Sequence, residues 1–478
     1  MGFERRNGRN VKGMDMHRKA ILGAGLMVAA GLLAPRAVSA GTVQGSYDAA
    51  ITAIQALPYQ PAYVPAGDDS AFSSNAVPVV NTPPAYDYTG GSIPGSDPTG
   101  ATDAPPWPPA FKPVTITSTN GAKLQGMVDI QPGARPAVLV VHGFNTHGYD
   151  SVIRWAAMLA ANGYDVAAFD QRDYYFEYQA KEGYPAQLQT FGWKEAQDVL
   201  TAGTWLSKQT GVTTVGIVGF SEGAQNTVLA VSQDTHHVFS AALTFSGPAD
   251  QDTQIYSTAV PPNCQTPSCT YPVTDALISV VVEPAGMFYD PCTVLSDAAS
   301  LYKTTPYAIL THETAMHAQT SISIPLLNFY AADDSLVNPI DAQLMAAYEA
   351  GNPLQRTIEI QKGEHAYYYD RWWDQKAILT YFKKLLPSSK TTAKATVNQT
   401  PGGTAISSQE VQFTQLTRAQ ADSHLAPFVC DTSKRAPGLA TAQPGSNVPE
   451  GAPLTLAAAG VVAGALVVSR RARRRQLT

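Results

Sequence analysis

Charge is scarce in this 478-residue sequence: Asp, Glu, Lys and Arg make up only 15% of it, and the formal net charge is −6. A nucleic-acid binder needs a basic patch to engage phosphates. Here the basic residues cluster at the two termini, so no nucleic-acid partner is expected. Cysteine is scarce too. Cys264, Cys269, Cys292 and Cys430 form no C-x-x-C pattern, which removes the thiol-redox and zinc-site readings. There is no internal repeat. His312 and His317 stand five apart, whereas a zinc-protease pair must stand four apart to share a helix face; five steps leave them about 140° apart. Gly23 and Gly25 lack the preceding strand that a dinucleotide-binding loop needs. Neither a metal nor a nucleotide cofactor is expected.

The two ends carry what the middle lacks. Arg5, Arg6, Arg9, Lys12, Arg18 and Lys19 precede an apolar run from Ala20 to Ala34, followed by Ala37-Val38-Ser39-Ala40. That order of charge, apolar segment and small residues reads as a secretory signal peptide over residues 1–40, cut after Ala40. The alternative is an uncleaved membrane anchor, and either one exports the remainder of the chain. At the other end, Leu454 to Val468 is uncharged and apolar and runs into Arg470, Arg471, Arg473, Arg474 and Arg475. Residues 454–478 are therefore expected to be a transmembrane anchor whose arginines stay cytoplasmic, holding the exported protein at the cell surface. With Val448-Pro449-Glu450 ahead of it, this end also resembles the sorting tails of bacterial exosortase substrates, with Gly451 where those usually repeat proline. An even cysteine count outside the cytoplasm favours two disulfides. Four cysteines allow three pairings; the short loop from Cys264 to Cys269 favours that local pair, with Cys292 then joined to Cys430.

Between Pro58 and Pro113 lie 13 prolines with no sustained apolar periodicity. Residues 41–110 therefore read as a Pro-rich spacer or loosely wrapped arm. Residues 388–453 read as a low-complexity stalk in which only Glu410 to Leu425 suggests a helix. The stretch between, 111–387, alternates short apolar runs with amphipathic segments, the pattern of a mostly parallel sheet flanked by helices. Val114 to Thr117 and Leu124 to Ile130 form an opening antiparallel pair around Asn120-Gly121. Ala137 to Val141, Val166 to Phe169, Val215 to Val218, Ala241 to Phe245, Leu326 to Tyr330 and Thr357 to Ile360 read as buried strands, and Trp193 to Lys208 as a helix.

The strand Val215 to Val218 runs into Gly219-Phe220-Ser221-Glu222-Gly223, and a helix comes next. In this context G-x-S-x-G has a mechanism: the glycines permit a sharp turn that thrusts the serine oxygen out above the sheet. A serine hydroxyl needs a base within hydrogen-bond reach. Of the nine histidines, His17 lies in the signal, His424 in the stalk, and His236 and His237 at an exposed helix end. His365 follows the last strand, where such a sheet delivers a base. The third member is a carboxylate after the preceding strand, Asp333 or Asp334.

Ser221, Asp334 and His365, in that order and context, resemble the triad of the α/β-hydrolase superfamily. Its acid starts a D-x-x-V turn, which points to Asp334 with Asp333 as the alternative. The resemblance implies an α/β-hydrolase fold with an inserted cap at about 249–321. His142-Gly143-Phe144 matches the superfamily's H-G-x signature, which implies an oxyanion held by the backbone N–H groups of Phe144 and Glu222, each donor on the order of 3 kcal/mol. His142 itself reads as structural. Asp170-Gln171-Arg172-Asp173 stands where relatives have D-x-R-G. In the cap, Met287, Phe288, Tyr289, Tyr302 and Tyr307 either line an acyl pocket or form the cap's own core. Tyr367, Tyr368, Tyr369, Trp372 and Trp373 either shape the rim or pack the last helix. The implied activity is a serine esterase or lipase acting on small-molecule or lipid esters. A serine peptidase, an acyltransferase or an inactive surface binding protein are the alternatives.

Overall fold

A computed structural model describes residues 40–59, 107–119, 121–143, 151–172, 190–251, 253–254, 291–310, 314–334, 337–363, 365–366, 371–387, 403–413 and 415–424. The chain opens with helix α1 (Ala40–Gln55) and the two-residue strand β1 (Pro58–Tyr59). Then come β2 (Lys112–Thr117), β3 (Lys123–Asp129), β4 (Arg135–Val141), α2 (Ile153–Ala161) and β5 (Asp165–Phe169). The middle holds α3 (Trp193–Ser207), β6 (Val212–Phe220), α4 (Glu222–Ser232) and β7 (Phe239–Phe245). Three helices come after it, α5 (Pro291–Tyr302), α6 (Pro306–Leu310) and α7 (Ala315–Ala318), then β8 (Leu326–Ala331), α8 (Ile340–Glu349), β9 (Gln355–Ile360) and α9 (Arg371–Leu385). The last described elements are β10 (Thr404–Ala405) and α10 (Arg418–Ser423).

Eight strands pair in the order β2-β3-β5-β4-β6-β7-β8-β9. β3 pairs antiparallel with both β2 and β5, and every pairing from β5-β4 to β8-β9 is parallel. Strands covered on both faces cannot afford polar alternation, which is why β4, β5 and β8 are buried along their whole length while rim strand β2 is largely open. Side chains still alternate between faces. Val138, Val140, Phe220, Phe245 and Phe329 meet α1, α2 and α9, whereas Leu139, Val141, Ile217 and Tyr330 meet α3, α4 and α8. The strands read from the sequence and the helix over 193–208 are all present.

Both flanking segments correct the sequence reading. Residues 41–57 are not spacer: Tyr47, Ala50, Ile51 and Ile54 recur at helical spacing, and this stripe packs α1 onto α9. The Tyr47 hydroxyl donates to Leu326 O at 2.6 Å, on the sheet. From the supposed stalk, residues 403–424 return to the domain. β10 pairs antiparallel with β1, Ile406 is fully buried, and Val411 N–H donates to Glu359 O at 2.8 Å beside the edge strand β9. Ile406 and Ala421 are the fully buried apolar residues of this arm, Phe413 and Leu416 pack against the core, and Gln415 donates to Ala346 O at 3.1 Å; these contacts are too irregularly spaced to produce periodicity. Its helix is also shorter than the expected 410–425, spanning only Arg418–Ser423 behind a Thr417/Gln420 capping box. Residues 1–39 and 425–478, and with them the signal and anchor readings, lie outside the described residues. So do the cysteine side chains. Among the described residues no helix is long and apolar enough to cross a membrane.

If α1 belongs to the core, Ile54→Ala removes a fully buried side chain and lowers unfolding free energy by about 2–4 kcal/mol in urea titration. A change within measurement error would return α1 to the status of a loose arm.

Candidate active site

β6 ends at Phe220 and α4 starts at Glu222, which leaves Ser221 alone in the turn. Its backbone sits at φ 55°, ψ −129°, a conformation that costs a side-chain-bearing residue about 1–3 kcal/mol. Close packing over-determines the turn. A Cβ on Gly219 would collide with Gly223 O and Thr227 Oγ1, and one on Gly223 with His142 O, so both flanking positions demand glycine. Ser221 N–H donates to Phe245 O at 2.8 Å, tying the turn to β7.

The hydroxyl so presented has a partner. His365 Nε2 lies 2.8 Å from Ser221 Oγ, and His365 Nδ1 lies 3.0 Å from each carboxylate oxygen of Asp334. A carboxylate only accepts, so Nδ1 carries the proton and Nε2 is left to accept from the serine. Asp334 is itself fixed, because its Oδ1 accepts the Val337 N–H at 2.8 Å in the turn after β8. The three side chains follow the C-terminal ends of parallel strands β6, β8 and β9, the edge at which open α/β sheets gather their sites. Asp333 serves elsewhere: its Oδ1 accepts Gly363 N–H at 2.8 Å and its Oδ2 lies 3.6 Å from Lys362 Nζ.

Strand order, serine turn and triad geometry together decide the architecture. The chain has the α/β-hydrolase fold. No family model matches it. Thiohydrolase aneE of Aspergillus aculeatus is 31% identical over 127 residues, which span 26% of this chain but only 38% of that protein. Among solved structures, the Pyrococcus furiosus esterase Pf2001 shares 20% identity over 57% of this chain and 92% of its own, with a TM-score of 0.40. The α/β hydrolase GrgF from Penicillium sp. sh18 shares 15% over 58% and 99%, TM-score 0.40. A Mycobacterium tuberculosis puromycin-hydrolyzing peptidase shares 16% over 58% and 39%, TM-score 0.42. These overlaps are partial, and the fold rests on the chain's own sheet order.

Around Ser221, His365 and Asp334 the remaining candidates divide. Glu222 opens α4, so its N–H lies at the helix's positive end; Phe144 lies outside the described residues. His142 is structural in its contacts. Nδ1 approaches Gly143 O at 2.7 Å, Nε2 accepts Gln171 N–H at 3.2 Å, and burial pushes its pKa down to about 4. Gln171 in turn donates to His142 O at 2.7 Å and accepts from Asn226, which stitches the loops after β4 and β5 to α4. Tyr302 is partly buried, packs with Trp193 and accepts from Arg172 Nη1 at 3.1 Å. Tyr307 is 57% exposed. Trp373 is fully buried with its ring edge-on to Phe329, which favours helix packing over a rim. Met287, Phe288, Tyr289, Tyr367, Tyr368, Tyr369 and the Trp372 side chain lie outside the described residues. His236, His237 and His424 are exposed.

The sequence places Arg172 in the D-x-R-like turn but does not reveal its buried partner. Arg172, in the turn after β5, donates Nε at 2.9 Å and Nη2 at 2.6 Å to Asp198, and its backbone N–H to the same carboxylate at 3.1 Å. Both partners are buried, so the pair holds the β5 turn to α3 while Nη1 reaches α5 through Tyr302. The available signal was Asp198, an acid on the apolar face of α3 beside Ala202 and Val199.

The His142 shift predicts a pH effect of definite sign. Between about 6.5 and about 4 the unfolded chain binds a proton that folded His142 refuses. The stabilisation is therefore complete above about 6.5 and disappears as pH falls to about 4, a loss of about 3 kcal/mol. Urea titrations from pH 7 to pH 4 should show His142→Gln with a shallower loss than wild type; parallel curves would refute the assignment.

Proposed function

We propose that this chain is a serine hydrolase that cleaves carboxylic esters through an acyl-enzyme on Ser221. The observation that carries the reading is the continuous chain from Ser221 Oγ to His365 Nε2 at 2.8 Å and from His365 Nδ1 to Asp334 at 3.0 Å. His365 takes the hydroxyl proton as Ser221 Oγ forms a bond to the substrate carbonyl carbon. The carbonyl oxygen gathers negative charge, met by the Glu222 N–H and, as the resemblance implies, by that of Phe144. Collapse breaks the bond to the alcohol, which leaves with the proton from His365. Water, deprotonated by the same imidazole, then attacks the acyl carbon; the bond to Ser221 Oγ breaks, Oγ takes the proton back from His365, and the acyl group leaves as the carboxylic acid. Asp334 keeps the imidazole oriented and stabilises its charged form throughout.

Location belongs to the same proposal. The signal-like 1–40 and the apolar, arginine-terminated 454–478 support export with a C-terminal membrane anchor, and an exported chain supports the cystine pairs Cys264–Cys269 and Cys292–Cys430. The fungal relative's description as a thiohydrolase puts thioesters beside oxygen esters in the substrate panel.

Wild type should react with a fluorophosphonate probe and turn over esters, and Ser221→Ala should lose labelling and drop kcat by a factor on the order of 10⁴ or more while keeping its melting temperature. Turnover above a few per cent of wild type in the variant would overturn the nucleophile. A chain cut after Pro449 should appear active in the culture medium, and its persistence in the membrane fraction after signal cleavage would refute the anchor.

A further inference from the structure

We infer that the two segments flanking the hydrolase sheet, residues 40–59 and 403–424, form part of the active-site apparatus, with Tyr59 acting as a positioning residue for His365. The inference rests on the reading of His365 as the base that serves Ser221. Three hydrogen bonds hold the backbone just before that histidine. Gln361 N–H donates to Gln409 O at 2.8 Å, Lys362 O accepts the Tyr59 hydroxyl at 2.6 Å, and Gly363 N–H donates to Asp333 Oδ1 at 2.8 Å. Two of these three anchors come from the arms, one from each. The third comes from the turn that also carries Asp334.

The arms are locked to each other where they reach the loop. Tyr59 pairs with Thr404 and Pro58 with Ala405, while Ile406 N–H donates to Leu57 O at 3.0 Å. Gln55 Nε2 donates to Glu410 Oε1 at 2.5 Å, and Ile360, the last residue of β9, bridges Glu410. Below the loop the Tyr59 ring stands edge-on to Trp373 at 5.4 Å, in the same cluster as Ile406 and as Ala366, the residue after the histidine. Packing alone would be served by phenylalanine at position 59. The hydroxyl adds one directed bond, and that bond ends on a carbonyl three residues before His365. Because an ångström of misplacement in a proton-transfer group costs catalysis far more than it costs packing, a bond at this point acts on the imidazole's aim.

Tyr59→Phe in the full chain tests this, with Leu206→Ala, a fully buried residue on the opposite face of the sheet, as a destabilised comparator. The far-downfield proton resonance of His365 Nδ1–H, which reports its bond to Asp334 whether or not the protein hydrolyses anything, should persist in wild type and in Leu206→Ala and shift or broaden in Tyr59→Phe. Fluorophosphonate labelling of Tyr59→Phe should slow about tenfold, while Leu206→Ala, assayed below its melting transition, labels at the wild-type rate. Hydrogen exchange on the wild-type chain gives a readout that needs no variant: the amides of Gln361 and Gly363 should exchange as slowly as those inside β9. An unaltered resonance and labelling rate in folded Tyr59→Phe, or fast exchange at Gln361 and Gly363, would overturn the inference. A wild type that shows the resonance but never labels would instead refute the esterase reading and leave the positioning result standing.

Discussion

The rest of the site depends on one strained residue being kept where it is: Ser221, with its positive φ between a buried strand and a buried helix. Strain of this kind persists only where the surroundings leave no alternative. Beneath the turn, a row of rings crosses the sheet. Trp155 stacks on Phe220 at 4.0 Å, Phe220 on Phe245 at 5.3 Å, and Phe245 on Phe329 at 5.4 Å, with Trp373 closing the row edge-on at 5.0 Å. Register explains the row, since Phe220, Phe245 and Phe329 are direct neighbours on β6, β7 and β8. Each such contact contributes about 0.5–1.5 kcal/mol beyond area burial, enough together to offset the backbone strain above them.

Buried charge then decides how the loops sit on that platform. Arg172 with Asp198 ties the β5 turn to α3 and the cap helix α5. Arg154 with Asp374, joined by the Trp155 indole N–H at 3.1 Å, ties α2 to α9 on the other face. Such pairs add little net stability compared with apolar replacements, yet breaking one partner leaves a costly stranded charge. Their value here is register: each fixes which turn of one helix meets which loop of the sheet.

Much of this was legible in the sequence because the core strands are continuous apolar runs and the serine turn has a fixed glycine spacing. Asp334 could be preferred over Asp333 only through the D-x-x-V pattern, and geometry separates them by giving one to the imidazole and the other to Gly363. The two flanking segments are hard to read from sequence for a physical reason. α1 carries a short apolar stripe next to a long proline-rich stretch, and Thr404 to Gln409 is held by backbone bonds that any sequence could make. Asp198 is not legible as buried because a charge on a helix is ordinarily solvated, and only its partner, 26 positions earlier, reveals it.

The placement of α1 also sets a timetable. Tyr47 bonds to a carbonyl 279 positions downstream and Tyr59 to one 303 positions downstream. At a synthesis rate of about 5–20 residues per second, the stripe of Tyr47, Ile51 and Ile54 waits about 15–60 s for the surface that covers it. Through that interval α1 has no native surface to pack against. The serine and histidine come into register only when nearly all of the described chain has been made.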